Sequence, residues 1–271
     1  MSEAGARVRE IYHQMHARRA TSATLAAIAA EVGAAIGLLS PDGSVRPTEL
    51  DRLAPELRLG PASRLLDVGC GSGAPARYLA RAAGCGVVGI DLVLARVARA
   101  RDAATEAGLA ERAAFLVANA NLGLPLRDRS VDGATVIDTL IHVPDKPALL
   151  AEIARALRPG GRLAIVSSTG ALTAEQMAAV GQAEIWFGGP PEEIARATAD
   201  TGYRLRLVED RGEWITHLHA TRLEAMLRRE VDLVQEVGAD QAQVLVGRQR
   251  AFADFSRRGL IGSVLVVAES A

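Results

Sequence analysis

The stretch from Arg64 to Ala80, RLLDVGCGSGAPARYLA, constrains the fold more than any other part of the sequence. Leu65, Leu66 and Val68 predict a short buried strand, and a helix-favouring run begins at Ala76. The glycines between them allow backbone conformations that other residues avoid and let main chain approach a ligand closely. In open α/β sheets, a strand, a glycine turn and a helix in this order bind a nucleotide-like cofactor. A tight turn with a purely structural role is the alternative.

The spacing of the glycines favours one kind of cofactor over another. Gly69, Gly71 and Gly73 form a G-x-G-x-G pattern, whereas the dinucleotide fingerprint is G-x-G-x-x-G. Asp67 is a carboxylate on an otherwise apolar strand, where an unpaired charge would be costly. We therefore expect Asp67 to face backbone amides or the cationic part of a ligand. Cys70 lies inside the turn and is a further candidate contact to the cofactor.

A second apolar run, Val87 to Ile90, ends at Asp91. This position predicts a carboxylate at the carboxyl end of the next strand, where such sheets bind ligands. Its two oxygens suit the two hydroxyls of a ribose. The alternative is that Asp91 caps the helix that begins near Leu92. A third apolar run, Ala113 to Ala118, follows.

The segments after the third strand occur in a recognisable order. A strand over Ala134–Ile137 leads into a loop carrying Asp138 and His142, then a helix over Ala148–Leu157, then Arg-Pro-Gly-Gly and a strand over Arg162–Ser167. Together with the glycine turn and Asp91, this order resembles the class I S-adenosylmethionine-dependent methyltransferases. The resemblance is close from about residue 64 to residue 168. It covers the rest of the chain in outline. The long helical segment between the last two predicted strands, together with the N-terminal helices, resembles small-molecule enzymes of the tocopherol, sarcosine and sugar O-methyltransferase type.

The resemblance implies a set of cofactor contacts. In this family the position of Asn119 usually holds an aspartate that accepts a hydrogen bond from the adenine amine. The amide oxygen of Asn119 can accept the same bond, but without charge assistance. Leu92, Ala120 and Asp138 are the other contacts that the resemblance implies for S-adenosylmethionine.

The resemblance also implies the architecture. We expect an α/β, Rossmann-like, doubly wound sheet of seven mostly parallel strands with an antiparallel last strand, plus a helical lid. Residues 1–60 would form N-terminal helices of the lid, residues 61–210 the cofactor-binding core, residues 211–258 a helical lid insertion and residues 259–271 the last core strand. The insertion is longer than a hairpin needs, which indicates a function. Closure over the acceptor is the predicted one, and a dimer contact is the alternative.

The implied reaction is displacement at a methyl carbon that is carried by a sulfonium. His142 is the candidate base, because histidine titrates near neutral pH and this loop lies beside the expected methyl position. A turn cap or a neutral packed imidazole is the alternative role. Tyr12, Trp214 and His217 are candidate acceptor contacts together with His142. For Trp214, His217 and the neighbouring His219, a strand-like or solvent-facing arrangement remains open, and for Tyr12, simple helix packing.

Composition limits the other function classes. The net charge is −1 and aromatic residues make up 3% of the 271 residues, so a nucleic-acid-binding surface is not predicted. Two cysteines without metal-type spacing predict a reducing, cytoplasmic setting and no metal site. Neither a signal peptide nor a membrane span is expected. We expect a monomer or homodimer.

The predicted activity is methyl transfer from S-adenosylmethionine to a small, largely apolar metabolite of specialised metabolism. A methyltransferase-like protein that catalyses a cyclisation or rearrangement in the same pocket is the principal alternative, since fold does not fix function. A nicotinamide oxidoreductase and a non-enzymatic binding module are further alternatives.

Overall fold

A computed structural model describes residues 10–11, 22–41 and 43–271 of the chain. Seven strands form one sheet. The strands are β1 (Arg64–Val68), β2 (Gly86–Asp91), β3 (Ala113–Val117), β4 (Val131–Ile137), β5 (Leu157–Thr169), β6 (Arg204–Asp210) and β7 (Gly262–Glu269). Tyr12, which the sequence suggested as an acceptor contact, lies outside the described residues.

The helices of the described residues surround this sheet. They are α1 (Ala23–Ile36), α2 (Pro47–Glu56), α3 (Ala74–Ala83), α4 (Leu94–Glu106), α5 (Lys146–Ala156), α6 (Ala174–Ala179), α7 (Pro191–Asp200), α8 (Gly212–Arg228), α9 (Glu230–Val237) and α10 (Ala239–Arg257). In these residues, no helix is both long enough and apolar enough to cross a membrane.

The strand order is β3-β2-β1-β4-β5-β7-β6. Strands β1 to β5 pair in parallel, and β7 runs antiparallel to both of its neighbours. The predicted seven-stranded, mostly parallel sheet with an antiparallel last strand is therefore confirmed. The order reverses between β1 and β4, and ligands bind at such a switch point in open α/β sheets.

Both faces of the sheet are buried, which explains why its central strands are continuous apolar runs. Leu65 belongs to the hydrophobic cluster on one face and Leu66 to the cluster on the other, and neither is accessible to solvent. The two faces are covered by helices, as the alternation of strands and helices in the sequence predicts.

A separate hydrophobic cluster joins the N-terminal helix to the helices inserted between β6 and β7. Ile28 and Val32 of α1 pack with Ile215 and Leu218 of α8 and with residues of α9 and α10. A buried ion pair fixes the start of α8, since Arg211 Nη2 lies 2.5 Å from Glu49 Oε1 of α2. The inserted helices are thereby attached to α1 and α2.

One strand differs from the prediction at its start. The sequence placed the fifth strand from Arg162, but β5 already begins at Leu157. Val131 pairs with Leu157 and Gly133 pairs with Arg162, so the Arg-Pro-Gly-Gly segment forms an irregularity inside the strand. Gly160, with φ of +75°, accommodates the bend and donates to Ser270 O at 3.1 Å. The glycines thus bend the strand rather than precede it.

Candidate active site

A cavity of about 380 Å³ opens at the carboxyl ends of β1, β2 and β4, next to the topological switch point. One part, the sheet half, is lined by Asp67, Gly69, Cys70, Gly71, Ser72, Asp91, Leu92, Val93, Arg96, Ala118, Asn119, Ala120, Asn121, Asp138 and Thr139. The other part, the helix half, is lined by Ser44, Ile141, His142, Ser168, Gln182, Trp186, Ile215, Leu218, His219, Arg222, Gln249, Phe252 and Ile261. The two halves are continuous, and the cavity is large enough for a small-molecule ligand.

The glycine turn takes the left-handed conformations that its sequence predicts. Gly69, Gly71 and Gly73 all have positive φ, between 55° and 73°. A Cβ on Gly69 would lie 2.0 Å from Thr139 Oγ1, and one on Gly73 would lie 2.8 Å from Phe115 Cζ. These two glycines are therefore required for the turn to pack against the loop after β4 and against β3, and not only for access to a ligand.

Asp91 holds the turn in place. Its Oδ2 accepts from Gly71 N at 2.9 Å, and its Oδ1 accepts from Val93 N at 2.9 Å. The guanidinium of Arg96 lies 3.9 Å from Oδ2. The bond to Val93 N spans two residues, as in an Asx turn. Val93 itself is the N-cap of α4 and no side chain caps this helix, so the alternative role of Asp91 as the N-cap is wrong. The carboxylate of Asp91 also lines the cavity. Each oxygen keeps a second acceptor position.

Asp67 is buried, with 1% of its surface exposed. Its Oδ1 accepts from Thr135 Oγ1 at 2.8 Å, while its Oδ2 is buried with no hydrogen-bond partner among the described residues. Burial raises the pKa of this carboxyl to about 7, against the opposing effect of the Thr135 bond. A buried carboxylate oxygen that lines a cavity without a partner fits a cationic ligand group.

Asn119 stands at the start of a short 3-10 turn, Ala120–Leu122. Its Oδ1 accepts from Asn121 N at 3.1 Å, and its Nδ2 is buried without a partner among the described residues. The side chain thus offers a donor as well as an acceptor to a ligand in the sheet half. The oxygen considered for the adenine amine already accepts one bond from the chain itself.

Asp138 has an unusual backbone for a residue with a side chain, because its φ is +54°. Its carboxylate accepts from the backbone N–H and the hydroxyl of Ser44. Burial raises its pKa, and these bonds and the charges of Arg211 and Arg222 oppose that effect. Although Asp138 lines the cavity, its hydrogen bonds attach the segment before α2 to the sheet.

His142 lines the helix half of the cavity, on the loop after β4. Its Nδ1 is 2.7 Å from Ile185 O, so Nδ1 carries the proton and Nε2 is the acceptor nitrogen. Burial lowers the pKa of His142 to about 4, and the charge of Arg96 lowers it further, while the bond to Ile185 opposes both. The imidazole is therefore neutral near pH 7.

Two residues suggested as acceptor contacts are not among those that line the cavity. Trp214 donates from Nε1 to Ser44 O at 2.7 Å, and the guanidinium of Arg46 stacks 4.1 Å from its ring centroid. His217 is exposed. Both residues lie on one face of α8, three positions apart, with 6.2 Å between their ring centroids, and this face is not the one that lines the cavity.

The same helix contributes other residues to the cavity wall, and of these the sequence analysis named only His219. Ile215, Leu218, His219 and Arg222 of α8 line the helix half. Their spacing is that of one helix face, so treating the segment as an amphipathic helix would have found them. In the described part of the chain, no group of three or more His, Cys, Asp or Glu side chains is arranged to hold a metal ion.

Comparison with known proteins identifies the family to which the chain is similar. Residues 66–165 match the family model described as a methyltransferase domain. The 27-O-demethylrifamycin SV methyltransferase of Amycolatopsis mediterranei is 34% identical over 225 residues, which cover 80% of this chain and 81% of that protein.

Solved structures share the fold. A sarcosine dimethylglycine methyltransferase from Galdieria sulphuraria has a TM-score of 0.73 at 19% identity, covering 83% of this chain and 85% of that one. The cyclase SpnF has a TM-score of 0.69 at 24% identity, and the match covers 83% of this chain and 81% of that one. At these identities the structures report on the fold, whereas the rifamycin relative aligns over most of both chains. The chain belongs to the class I S-adenosylmethionine-dependent methyltransferases that act on small molecules.

Proposed function

We propose that this enzyme transfers a methyl group from S-adenosylmethionine, bound in the sheet half of the cavity, to a small and largely apolar metabolite bound in the helix half. The observation that carries the proposal is the continuity of the two halves. A polar, carboxylate-bearing edge with partly unpaired atoms opens directly into a chamber whose wall includes six apolar side chains, those of Ile141, Trp186, Ile215, Leu218, Phe252 and Ile261.

The residues of the sheet half fit the cofactor. The buried, unpartnered Oδ2 of Asp67 suits a cationic group. Asp91 keeps acceptor positions for ribose hydroxyls, and Asn119 offers an amide to the adenine edge. Gly69, Gly71, Cys70 and Leu92 provide the adjoining wall.

When bound, the cofactor supplies a methyl group activated by positive sulfur. The protein orients the acceptor toward that methyl and excludes water. His142 lines the helix half, and its Nε2 can accept a proton from an acceptor hydroxyl. Its low pKa makes it a weak base, so this role suits an acceptor oxygen that is already acidic.

The helices α8 to α10, together with α1, would act as the lid over the acceptor. Their cluster is separate from the two clusters of the sheet, so the insertion can pack as a unit over the cavity. The rifamycin relative supports a natural-product acceptor, since its name describes methylation of such a compound.

The test is formation of S-adenosylhomocysteine by the purified full-length chain, with mass spectrometry of co-purified small molecules to identify acceptor candidates. We expect acceptor-dependent S-adenosylhomocysteine and a product heavier by one methylene unit. Consumption of the acceptor to an isomer without S-adenosylhomocysteine would instead favour a cyclisation or rearrangement. Binding of NADH without binding of S-adenosylhomocysteine would overturn the proposal.

A further inference from the structure

The chain itself fixes the orientation of the Asn119 amide. Its oxygen accepts from the backbone N–H of Asn121 at 3.1 Å. The two ends of an asparagine amide have nearly the same shape, so only a hydrogen-bond partner distinguishes them. A backbone N–H can donate but not accept, and it therefore assigns the oxygen to the side of Asn121. Nδ2 is the end of the amide that remains for another partner.

Nδ2 of Asn119 is a buried donor at the cavity. Asn119 lines the sheet half, and its Nδ2 is shielded from solvent with no hydrogen-bond partner among the described residues. Leaving a buried donor unpaired is costly, so such an atom at a cavity wall indicates contact with a ligand. The ligand atom that contacts Nδ2 must be one that accepts a hydrogen bond.

Asn119 follows the third strand along one edge of the sheet. Asp67 lies on β1, Asp91 ends β2, and Asn119 comes just after the end of β3. These strands are adjacent in the order β3-β2-β1 and about 4.8 Å apart, so the three side chains succeed one another across the edge. S-adenosylmethionine carries its ribose between the sulfonium and the adenine. With the cationic group at Asp67 and the ribose at Asp91, the adenine would lie at Asn119.

Adenine offers one donor group and several acceptors. The exocyclic amine donates, whereas the ring nitrogens N1, N3 and N7 accept. Nδ2 of Asn119 and the amine are both donors and cannot pair with each other, but Nδ2 can donate to a ring nitrogen. Contact through the oxygen alone would add a second bond to an atom that already accepts from Asn121 N, and it would leave Nδ2 unpaired. The observed orientation therefore favours contact through the nitrogen.

We propose that Asn119 binds the adenine by donating a hydrogen bond from Nδ2 to a ring nitrogen. An ionised aspartate at this position would carry acceptors only and would bind the exocyclic amine instead. Asn119 therefore reverses the direction of the hydrogen bond and contacts a different atom of the base. This inference rests on the proposed function, because it assumes that the sheet half holds S-adenosylmethionine.

The test is calorimetry on the full chain with S-adenosylhomocysteine and four analogues. In three of them, the deaza analogues, N1, N3 or N7 is replaced by C–H, and in the fourth the exocyclic amine is replaced by hydrogen. We expect one deaza analogue to bind the unmodified chain about fivefold or more weaker than S-adenosylhomocysteine. Asn119→Ala should bind that analogue and S-adenosylhomocysteine equally, because the double-mutant cycle isolates the bond between Nδ2 and the ring nitrogen. Loss of the amine should weaken binding by the same factor in both proteins.

A second variant and a control accompany Asn119→Ala. Asn119→Asp keeps an acceptor for the N–H of Asn121 and removes the donor, so it should also lose the preference for the intact ring nitrogen. It separates loss of the donor from any change in the turn. Gln243→Ala, which removes an exposed amide of α10, should give the same affinities as the unmodified chain.

Three results would overturn this inference. The first is that all three deaza analogues bind the unmodified chain as tightly as S-adenosylhomocysteine, and the second is that the weaker binding of one of them persists in both variants. The third is an effect of Asn119→Ala that depends on the amine and on no ring nitrogen, which would show that the oxygen contacts the base. If the unmodified chain does not bind S-adenosylhomocysteine, the proposed function fails, whereas intact binding without a dependence on Asn119 rejects only the adenine assignment.

Discussion

Asp138 and Ser44, which are far apart in sequence, are joined by two hydrogen bonds. The carboxylate accepts from the backbone N–H of Ser44 at 3.0 Å and from its hydroxyl at 2.7 Å. The carbonyl of Ser44 in turn accepts from Trp214 Nε1 and Arg211 Nη2. This chain of bonds connects the end of β4 to the first turn of α8, so the distance between the two halves of the cavity depends on it.

Replacing the hydroxyl should loosen this connection. Ser44→Ala removes one bond to a partly buried carboxylate and leaves the backbone N–H bond in place. We expect the free energy of unfolding to fall by about 1–3 kcal/mol, measured by urea denaturation. Ser130→Ala is the control, because its hydroxyl makes an exposed bond to Arg127 O, and it should change stability by less than about 0.5 kcal/mol. Equal effects of the two changes would contradict a special role for the Asp138–Ser44 pair.

Asp91 should be essential for binding the cofactor. Asp91→Ala removes the acceptor for ribose hydroxyls and also releases Gly71 N and Val93 N, which shape the turn. We expect the Kd of S-adenosylhomocysteine in calorimetry to rise about 100-fold or more, as the loss of two charge-assisted bonds implies. Asp102→Ala removes an exposed carboxylate of α4 and should leave the Kd unchanged. An unaltered Kd in Asp91→Ala would reject the ribose assignment.

Asp67 should make cofactor binding depend on pH. Its pKa is raised to about 7 by burial, so the carboxyl of the free enzyme holds a proton below that pH. Binding of a cation requires the carboxylate and releases the proton, so affinity should weaken by up to about tenfold per pH unit below 7 and level off above it.

Calorimetry with S-adenosylhomocysteine between about pH 5.5 and 8.5 measures this slope for the amino-acid ammonium, which is the cationic group that this ligand carries. Asp67→Asn should flatten the profile, and Asp102→Asn should preserve it. A flat profile in the unmodified chain would show that Asp67 does not bind the cationic group. The stability of the fold should change with pH in the opposite direction to cofactor affinity. Because burial raises the pKa of Asp67 in the folded state, its contribution to the free energy of unfolding decreases as pH rises from about 4 to 7.

A feature of the site could be predicted from the sequence where the residues that form it lie close together along the chain. The positions of the glycine turn and of Asp91 could be predicted because the strand, the turn and the helix follow one another within a short stretch of sequence. The double bond of Asp138 to Ser44 was not, because it joins segments whose proximity depends on the whole fold. Likewise, the sequence suggested Trp214 as an acceptor contact, but Trp214 donates to Ser44 O instead. Arg222 lines the cavity. Which residues of α8 face the cavity depends on the orientation of the helix in the fold.

The same reasoning applies to the sheet and the inserted helices. Leu65 and Leu66 lie in a continuous apolar run, which predicts a strand buried on both faces. The packing of Ile28 on Leu218 could not be read from either segment, because both are ordinary amphipathic helices that have several possible partners.

His142 should affect turnover more than cofactor binding. Its Nδ1 is fixed by Ile185 O, and its Nε2 is the atom proposed to accept a proton. Once an acceptor is identified, we expect His142→Ala to lower kcat by about 10²-fold or more, the usual range for general base catalysis, with the Kd of S-adenosylhomocysteine changed by less than about twofold. His217→Ala, which removes an exposed imidazole of α8, is the matched control and should retain full activity.

The pH profile adds an independent check on this histidine. Because burial lowers the pKa of His142 to about 4, it stays neutral above about pH 5, and kcat should show no inflection near 6.5 from this group. The folded state binds fewer protons than the unfolded state between about pH 6.5 and 4, so the contribution of His142 to stability is lost as pH falls through that range. An unchanged kcat in His142→Ala would remove this residue from catalysis. A kcat inflection near 6.5 that disappears in the variant would show instead that the imidazole titrates in contact with solvent.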